Sequence, residues 1–118
     1  MNDKTLLIQK QNDIFRKQSY KAIEDDHTIR GKCVKTHGVG CLEYEVQITI
    51  LELVHNFNNF TEDNDPHGEH DFGSFTCKGN KIFWKIDYYD VNYEYGSEDP
   101  SDLSKTRRVL TIMLAEEY

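Results

Sequence analysis

Along DKTLLIQKQNDIFRKQSYK, Leu7, Gln11, Ile14 and Phe15 approximate a 3.6-residue period, which predicts an amphipathic helix over residues 4–18 with Asp3 as its cap. The following EDDHTIRGKCVKTHGVG mixes β-branched residues with Gly31, Gly38 and Gly40, so a short strand over 29–35 and then a turn are expected. CLEYEVQITILELVHNF supports two readings. Val46, Ile48 and Ile50 alternate as in a strand, whereas Val46, Ile50, Leu53, Val54 and Phe57 form a helical stripe. A run of about fifteen residues without Gly or Pro is long for a strand and ordinary for a helix. NNFTEDNDPHG has the residues of a loop, and its Asp65-Pro66 step keeps Asp65 out of the helical region.

HDFGSFTCKGNKIFWKIDYYD reads as a β-hairpin, two aromatic runs joined at KGNK. With the turn on Lys78-Gly79 or on Gly79-Asn80, odd positions of the first strand share a face with even positions of the second. One face then carries Glu69, Asp71, Gly73, Phe75 and Cys77 with Ile82, Trp84, Ile86, Tyr88 and Asp90, is apolar except at its open end, and is expected to meet the helices. The other carries His70, Phe72, Ser74 and Thr76 with Phe83, Lys85, Asp87 and Tyr89. VNYEYGSEDPSD suggests a further strand that turns at 96–100. TRRVLTIMLAEEY suits a buried central strand, with a C-terminal helix capped by Ser101 or Asp102 as its competitor. The elements add up to a single α+β domain over 1–118, two helices packed on one face of an antiparallel β-meander.

Composition narrows the partners. A net charge of −7 and a pI near 5.1 set a repulsive field against DNA or RNA phosphates, so no direct nucleic-acid binding is expected, and they suit a basic protein surface instead. Cys33, Cys41 and Cys77 form no disulfide framework, and neither a leader-like apolar segment nor a membrane-length apolar run is present. A cytoplasmic protein with reduced thiols and no membrane segment is the expectation. Seven Tyr, six Phe and one Trp are expected to carry much of the core.

Candidate chemistry gathers in two places. In TEDNDPHGEHDFG, Asp63, Asp65 and His67 take positions 1, 3 and 5 of a calcium-loop template, with Gly68 at 6 and Asp71 at 9, but Ser74 stands where the bidentate Glu belongs. His67, His70, Glu69 and Asp71 also offer nitrogen and oxygen ligands to zinc, without the HExxH spacing on a helix. Against both stands a hydrated turn whose side chains cap its own amides. Cys33-x3-His37-x3-Cys41 lacks the CxxC knuckle and reads as incidental. On the polar face of the hairpin, His70, Lys85 and Asp87 are the catalytic candidates, since a carboxylate can orient an imidazole for acid–base work. The competing reading is a cross-strand polar network worth about 0.2–1 kcal/mol per pair. Finally, Tyr89, Tyr93 and Tyr95 interleave with Glu94 and Glu98 as a candidate partner-binding patch, or as an amphipathic strand with its ring bodies in the core.

The stretches NDIFR, FTEDNDPHGEHDFGSF, FWKIDYYD, YGSEDPSD and RRVLTIMLAEEY together resemble a bacterial family known as domain of unknown function 3768. The resemblance implies a setting on plasmids and other mobile elements, mainly of alphaproteobacteria, and a helix over 43–57. Cys33 and Cys41 are not part of the resembling pattern, and no activity or cofactor comes with it. Two functions are therefore expected to compete: a non-enzymatic module binding a basic partner, and a small metal-assisted or His/Asp-dependent hydrolase.

Overall fold

The computed structural model describes residues 2–18 and 29–118, which form three helices, a four-stranded sheet and a closing 3-10 turn. Helix α1 spans Asp3–Gln18. Its cap is Asn2, whose Oδ1 accepts the Thr5 N–H at 2.7 Å, so Asp3 falls in the first turn, where its charge complements the helix dipole. Strand β1 (Gly31–Lys35) leads into α2 (His37–Gly40), a single helical turn where the sequence suggests a turn. Helix α3 (Tyr44–His55), the hairpin strands β2 (Phe72–Cys77) and β3 (Asn80–Tyr89), strand β4 (Arg107–Leu114) and the turn Ala115–Glu117 complete the order.

The sheet runs β1-β4-β3-β2. The C-terminal apolar run is thus a strand, and a central one, as its dense β-branched content suggests. The expected antiparallel meander holds only for β2, β3 and β4, because β1 lies parallel to β4 and makes the sheet mixed. A parallel neighbour needs a long connection, and α2, α3 and the hairpin all lie between these two strands in the chain. Gly31 permits the approach: a Cβ there would sit 2.0 Å from the Arg108 carbonyl oxygen and 2.8 Å from the Phe15 ring. The expected strand after β3 does not form. Beyond a single bridge from Tyr89 to Gly96, the side chains of Asp90, Asp99 and Asp102 capture nearby N–H groups and bend the chain into local turns.

Helices cover one face of the sheet. Phe15, Ile50, Val54 and Phe57 pack against Ile82, Trp84, Ile86, Leu110 and Ile112. The segment with two possible periods is the helix, with Ile50 and Val54 inward and Ile48 and Leu53 at the surface. The core is more aliphatic than expected: among the described residues its buried aromatics are Phe15, Phe57 and Trp84, and no tyrosine is fully buried. The opposite face carries no helix among the described residues. There Phe72, Phe83 and Tyr118 meet edge to face at 5.2–6.0 Å between ring centroids.

Cys77 pairs with Asn80, which centres the hairpin turn on Lys78-Gly79 and keeps the expected division of faces over 72–89. Both central residues have positive φ, 50° for Lys78 and 81° for Gly79, as in a type I′ turn. Lysine is strained there and asparagine is not. Lys78→Asn is expected to stabilise the fold by roughly 0.5–1 kcal/mol, read as a higher urea midpoint with an unchanged slope.

Candidate functional site

The most densely connected polar group lies beneath α1. That helix buries Ile8, Gln11, Asn12, Phe15 and Arg16, whereas Leu7 and Ile14, inward in the sequence reading, are 46% and 52% exposed. Gln11 and Phe15 belong to both arcs. Polar partners on the sheet set the rotation. Arg108 of β4, wholly buried, donates from Nε to Asn12 Oδ1 at 2.6 Å and from Nη2 to Gln11 Oε1 at 2.9 Å and the Pro100 carbonyl at 3.1 Å. Asn12 Nδ2 donates to the Tyr88 hydroxyl at 2.8 Å and to the Glu69 carbonyl at 2.9 Å, and the Tyr88 hydroxyl donates onward to Glu69 Oε1 at 2.7 Å. Burial, reinforced by the bond to Glu69, pushes the Tyr88 pKa up and keeps the phenol a neutral donor.

His70 departs furthest from the sequence reading. A regular strand would have sent its side chain toward Lys85 and Asp87. Instead its backbone is left-handed, φ 56°, and the ladder ends one residue later, where the Asp71 carbonyl accepts the Ile86 N–H at 2.9 Å. The ring turns to the helix side. Its Nδ1 donates to the Asp13 carboxylate at 2.9 and 3.0 Å, and its Nε2 lies 3.7 Å from Asp65 Oδ2. A carboxylate only accepts, so Nδ1 carries the hydrogen. The backbone N–H of His70 donates to Asp65 Oδ1 at 3.0 Å, and the ring stacks on Phe60 at 3.7 Å.

Arg16 completes this group, 2% exposed, with Nη1 on Asp13 at 3.1 Å and Nε and Nη2 on the carbonyls of Val54 and Phe57 at 3.1 and 2.9 Å. Its guanidinium lies 5.3 Å from the Phe60 ring centroid and 5.1 Å from that of Trp84. Burial lowers its pKa, and the hydrogen bond to Asp13 acts the other way. Asp13, Arg16, Phe60 and His70 border a cavity of about 250 Å³. With carboxylates facing both ring nitrogens, the imidazole is arranged to cross-link α1 to the 61–70 loop more than to take a proton from a bound molecule.

The expected catalytic trio is therefore split. Lys85 and Asp87 pair with each other at 3.2 Å, 40% and 41% exposed, on the face without helices. The metal candidates are also dispersed in their duties. Asp63 and His67 are exposed on the turn, Asp65 holds His70, and Glu69 accepts from Tyr88. Asp71 is half-buried; burial first and the nearby charge of Glu69 second raise its pKa. Among the described residues, no three His, Cys, Asp or Glu side chains are grouped to hold a metal ion. The turn is bound internally, with Asn64 and Thr61 exchanging side-chain bonds and Gly68 at φ 71°. Cys33 is half-buried, Cys77 is buried, and exposed Cys41 has its Sγ 3.4 Å from His37 Nε2.

The tyrosine segment is at the surface. Tyr89 and Tyr93 lie 6.5 Å apart between ring centroids, Lys32 Nζ sits 4.5 Å from the Tyr93 ring, and Tyr95 is 73% exposed beside exposed Glu94 and Glu98. Asp90 Oδ1 fixes the turn by accepting the N–H groups of Asn92 and Glu94, both at 3.1 Å.

Residues 35–117 match the family described as protein of unknown function, DUF3768. The chain belongs to the DUF3768 family. No curated protein and no solved structure matches it. The match takes in every resembling stretch except NDIFR and the final tyrosine, so Asp13 and Arg16 lie before the matched part of this DUF3768 chain. The residues missed by sequence reasoning, Asn12, Asp13, Arg16 and Arg108, left one signal. Asn12 and Arg16 are four apart, on the same side of the helix as Phe15.

Asp13→Ala is expected to cost about 1–3 kcal/mol of unfolding free energy, since it strips a partner from buried Arg16 and from His70. Asp87→Ala is expected to stay within roughly 0.5 kcal/mol, the loss of an exposed pair. Equal urea midpoints for the two variants would refute the placement of His70 beside Asp13. Because the fold raises the pKa of Asp71, the stability it contributes is present below the unfolded value near 3.8 and is lost as pH rises through the folded value. Asp71→Asn is therefore expected to raise the melting temperature at about pH 7 and to change it little at about pH 3.

Proposed function

We propose that this DUF3768 protein is a non-enzymatic interaction module that docks a basic surface of a partner protein through its acidic, tyrosine-bearing segment. The observation that carries the reading is the stretch 86–104, which holds six carboxylates and no basic residue and is displayed on turns fixed by its own side chains. A preordered turn spends little entropy on docking. Exposed Tyr95 supplies an amphipathic anchor, and Glu94 and Glu98 supply the rim charge that steers a basic partner. Tyr89 and Tyr93 form the base of the same segment. Exposed Glu62 and Asp63 on the 61–71 loop add to the negative field. The same charge opposes direct contact with nucleic-acid phosphates. We further propose a cytoplasmic, bacterial mobile-element setting, which the family resemblance supports.

A second reading, the His/Asp-dependent or metal-assisted hydrolase, has the Asp13–His70 contact beside a cavity in its favour. It is weakened by the carboxylate at each ring nitrogen and by the position of Lys85 and Asp87 across the sheet.

The test is association measured against a bacterial lysate, followed by rebinding of the purified partner. Binding is expected to weaken as salt rises from about 0.05 to about 0.3 M, as for surface charges screened over a Debye length. Glu94→Lys with Glu98→Lys is expected to abolish it, while the same charge change at Glu45 and Glu52 on α3 leaves it intact. Equal loss from both pairs would mean attraction by net charge alone and would end the proposal.

A further inference from the structure

Edge strand β1 and helix α3 do not close on each other. Between them and α2 lies a cavity of about 330 Å³, walled by Val39, Ile50, Leu51 and Ile112, with the half-buried Cys33 along one side. Val39, Ile50 and Ile112 are members of the main core, so the cavity opens onto the interior itself. Its size falls at the lower end of small-molecule sites, which run from about 300 to 1,000 Å³.

The polar lining is sparse and of one sign. Lys35 Nζ donates to Gln47 Oε1 at 2.7 Å, and the Gln47 amide nitrogen is held by the Leu42 carbonyl at 2.8 Å and the Gly40 carbonyl at 3.2 Å. Gln47 is thereby fixed as an acceptor, and the ammonium, with three hydrogens, has donors beyond that one bond. Lys35 is the charged residue of the lining. The neighbouring wall is tied in place by Glu117, whose carboxylate accepts from the Thr36 hydroxyl at 2.5 Å and from the N–H groups of Gly38 and Leu114 at 3.0 and 2.9 Å. Water in such a cavity meets apolar wall on most sides, whereas an apolar group would bury that wall.

We propose that this cavity binds a small amphiphilic carboxylate, its apolar body against Ile50, Leu51 and Ile112 and its carboxylate on Lys35 Nζ. The apolar wall supplies affinity without direction, and the single cation at the mouth orients the ligand and selects its charge. This site shares none of its lining with the acidic 86–104 segment, so either can fail without the other.

The experiment titrates the full chain with octanoate, octanol and octylammonium and follows backbone amides by NMR. Octanoate is expected to give saturable shifts at Cys33, Lys35, Val39 and Gln47 to Leu51, with octylammonium much weaker. Lys35→Gln, a change at an exposed side chain, is expected to weaken octanoate about tenfold, as for loss of a charge-assisted hydrogen bond, and to leave octanol binding unchanged. Peptide-resolved alkylation gives a second readout: octanoate slows modification of Cys33 and leaves exposed Cys41 as before. The proposal is overturned if octanoate leaves these amides unmoved, if octylammonium binds as well as octanoate, or if Lys35→Gln affects octanoate and octanol alike.

Discussion

The bond between Asn12 and Arg108 joins the first helix to the central strand across most of the chain, and much of the remaining structure depends on it. A guanidinium with no solvent exposure has to be hydrogen-bonded, and a hydrogen bond to a charged group contributes about 1.5–3 kcal/mol. Asn12 meets that requirement and at the same time donates to Tyr88 and to the Glu69 backbone. One amide thus locks helix, sheet and loop together. It also sets the rotation of α1, and the next residue, Asp13, is carried to the side where His70 lies.

The left-handed backbone at His70 divides the molecule into two chemically different sides. On the helix side the titratable groups are engaged with one another, as in Asp13 with Arg16 and His70, Asp65 with His70, and Glu69 with Tyr88. Such closed networks rigidify a fold and leave few groups for chemistry. On the other side the exposed Lys85–Asp87 pair faces solvent, whereas the acidic turns after β3 reach back to α1, where Asp99 pairs with Lys4 and the Ser101 carbonyl accepts from Gln11. The cavity beside β1 belongs to no such network, because it arises where an edge strand and a helix leave core side chains uncovered. Most of its walls lie in the part of the chain that matches the family, whereas the Asp13–His70 cross-link ties that part to the segment before it.

Much of the architecture was legible in the residues. The hairpin, its face assignment from Phe72 to Tyr89 and the helix over Tyr44–His55 follow from periodicity, turn chemistry and length, whereas the C-terminal run stays open between strand and helix until the sheet takes it in. These are local properties, set by the geometry of a strand or helix that repeats every two or 3.6 residues. The site was legible only in part. The sequence marks His70 and Asp65 but pairs His70 with Asp87, because the strand pattern runs on to Glu69, past Asp71 where the ladder ends. No spacing rule announces a single residue at φ 56°.

By itself the sequence determined the first helix, the hairpin, the acidic balance of the charge and the split of the hairpin into an apolar and a polar face, because each depends on neighbours along the chain. Tertiary structure alone decided which arc of α1 is buried, that β1 joins β4 in parallel, and that His70 faces Asp13. Those outcomes depend on groups as far apart as Asn12 and Arg108. A buried charge takes whatever partner the fold brings within about 3 Å, and in this chain that requirement outweighed the apolar stripe of Leu7 and Ile14.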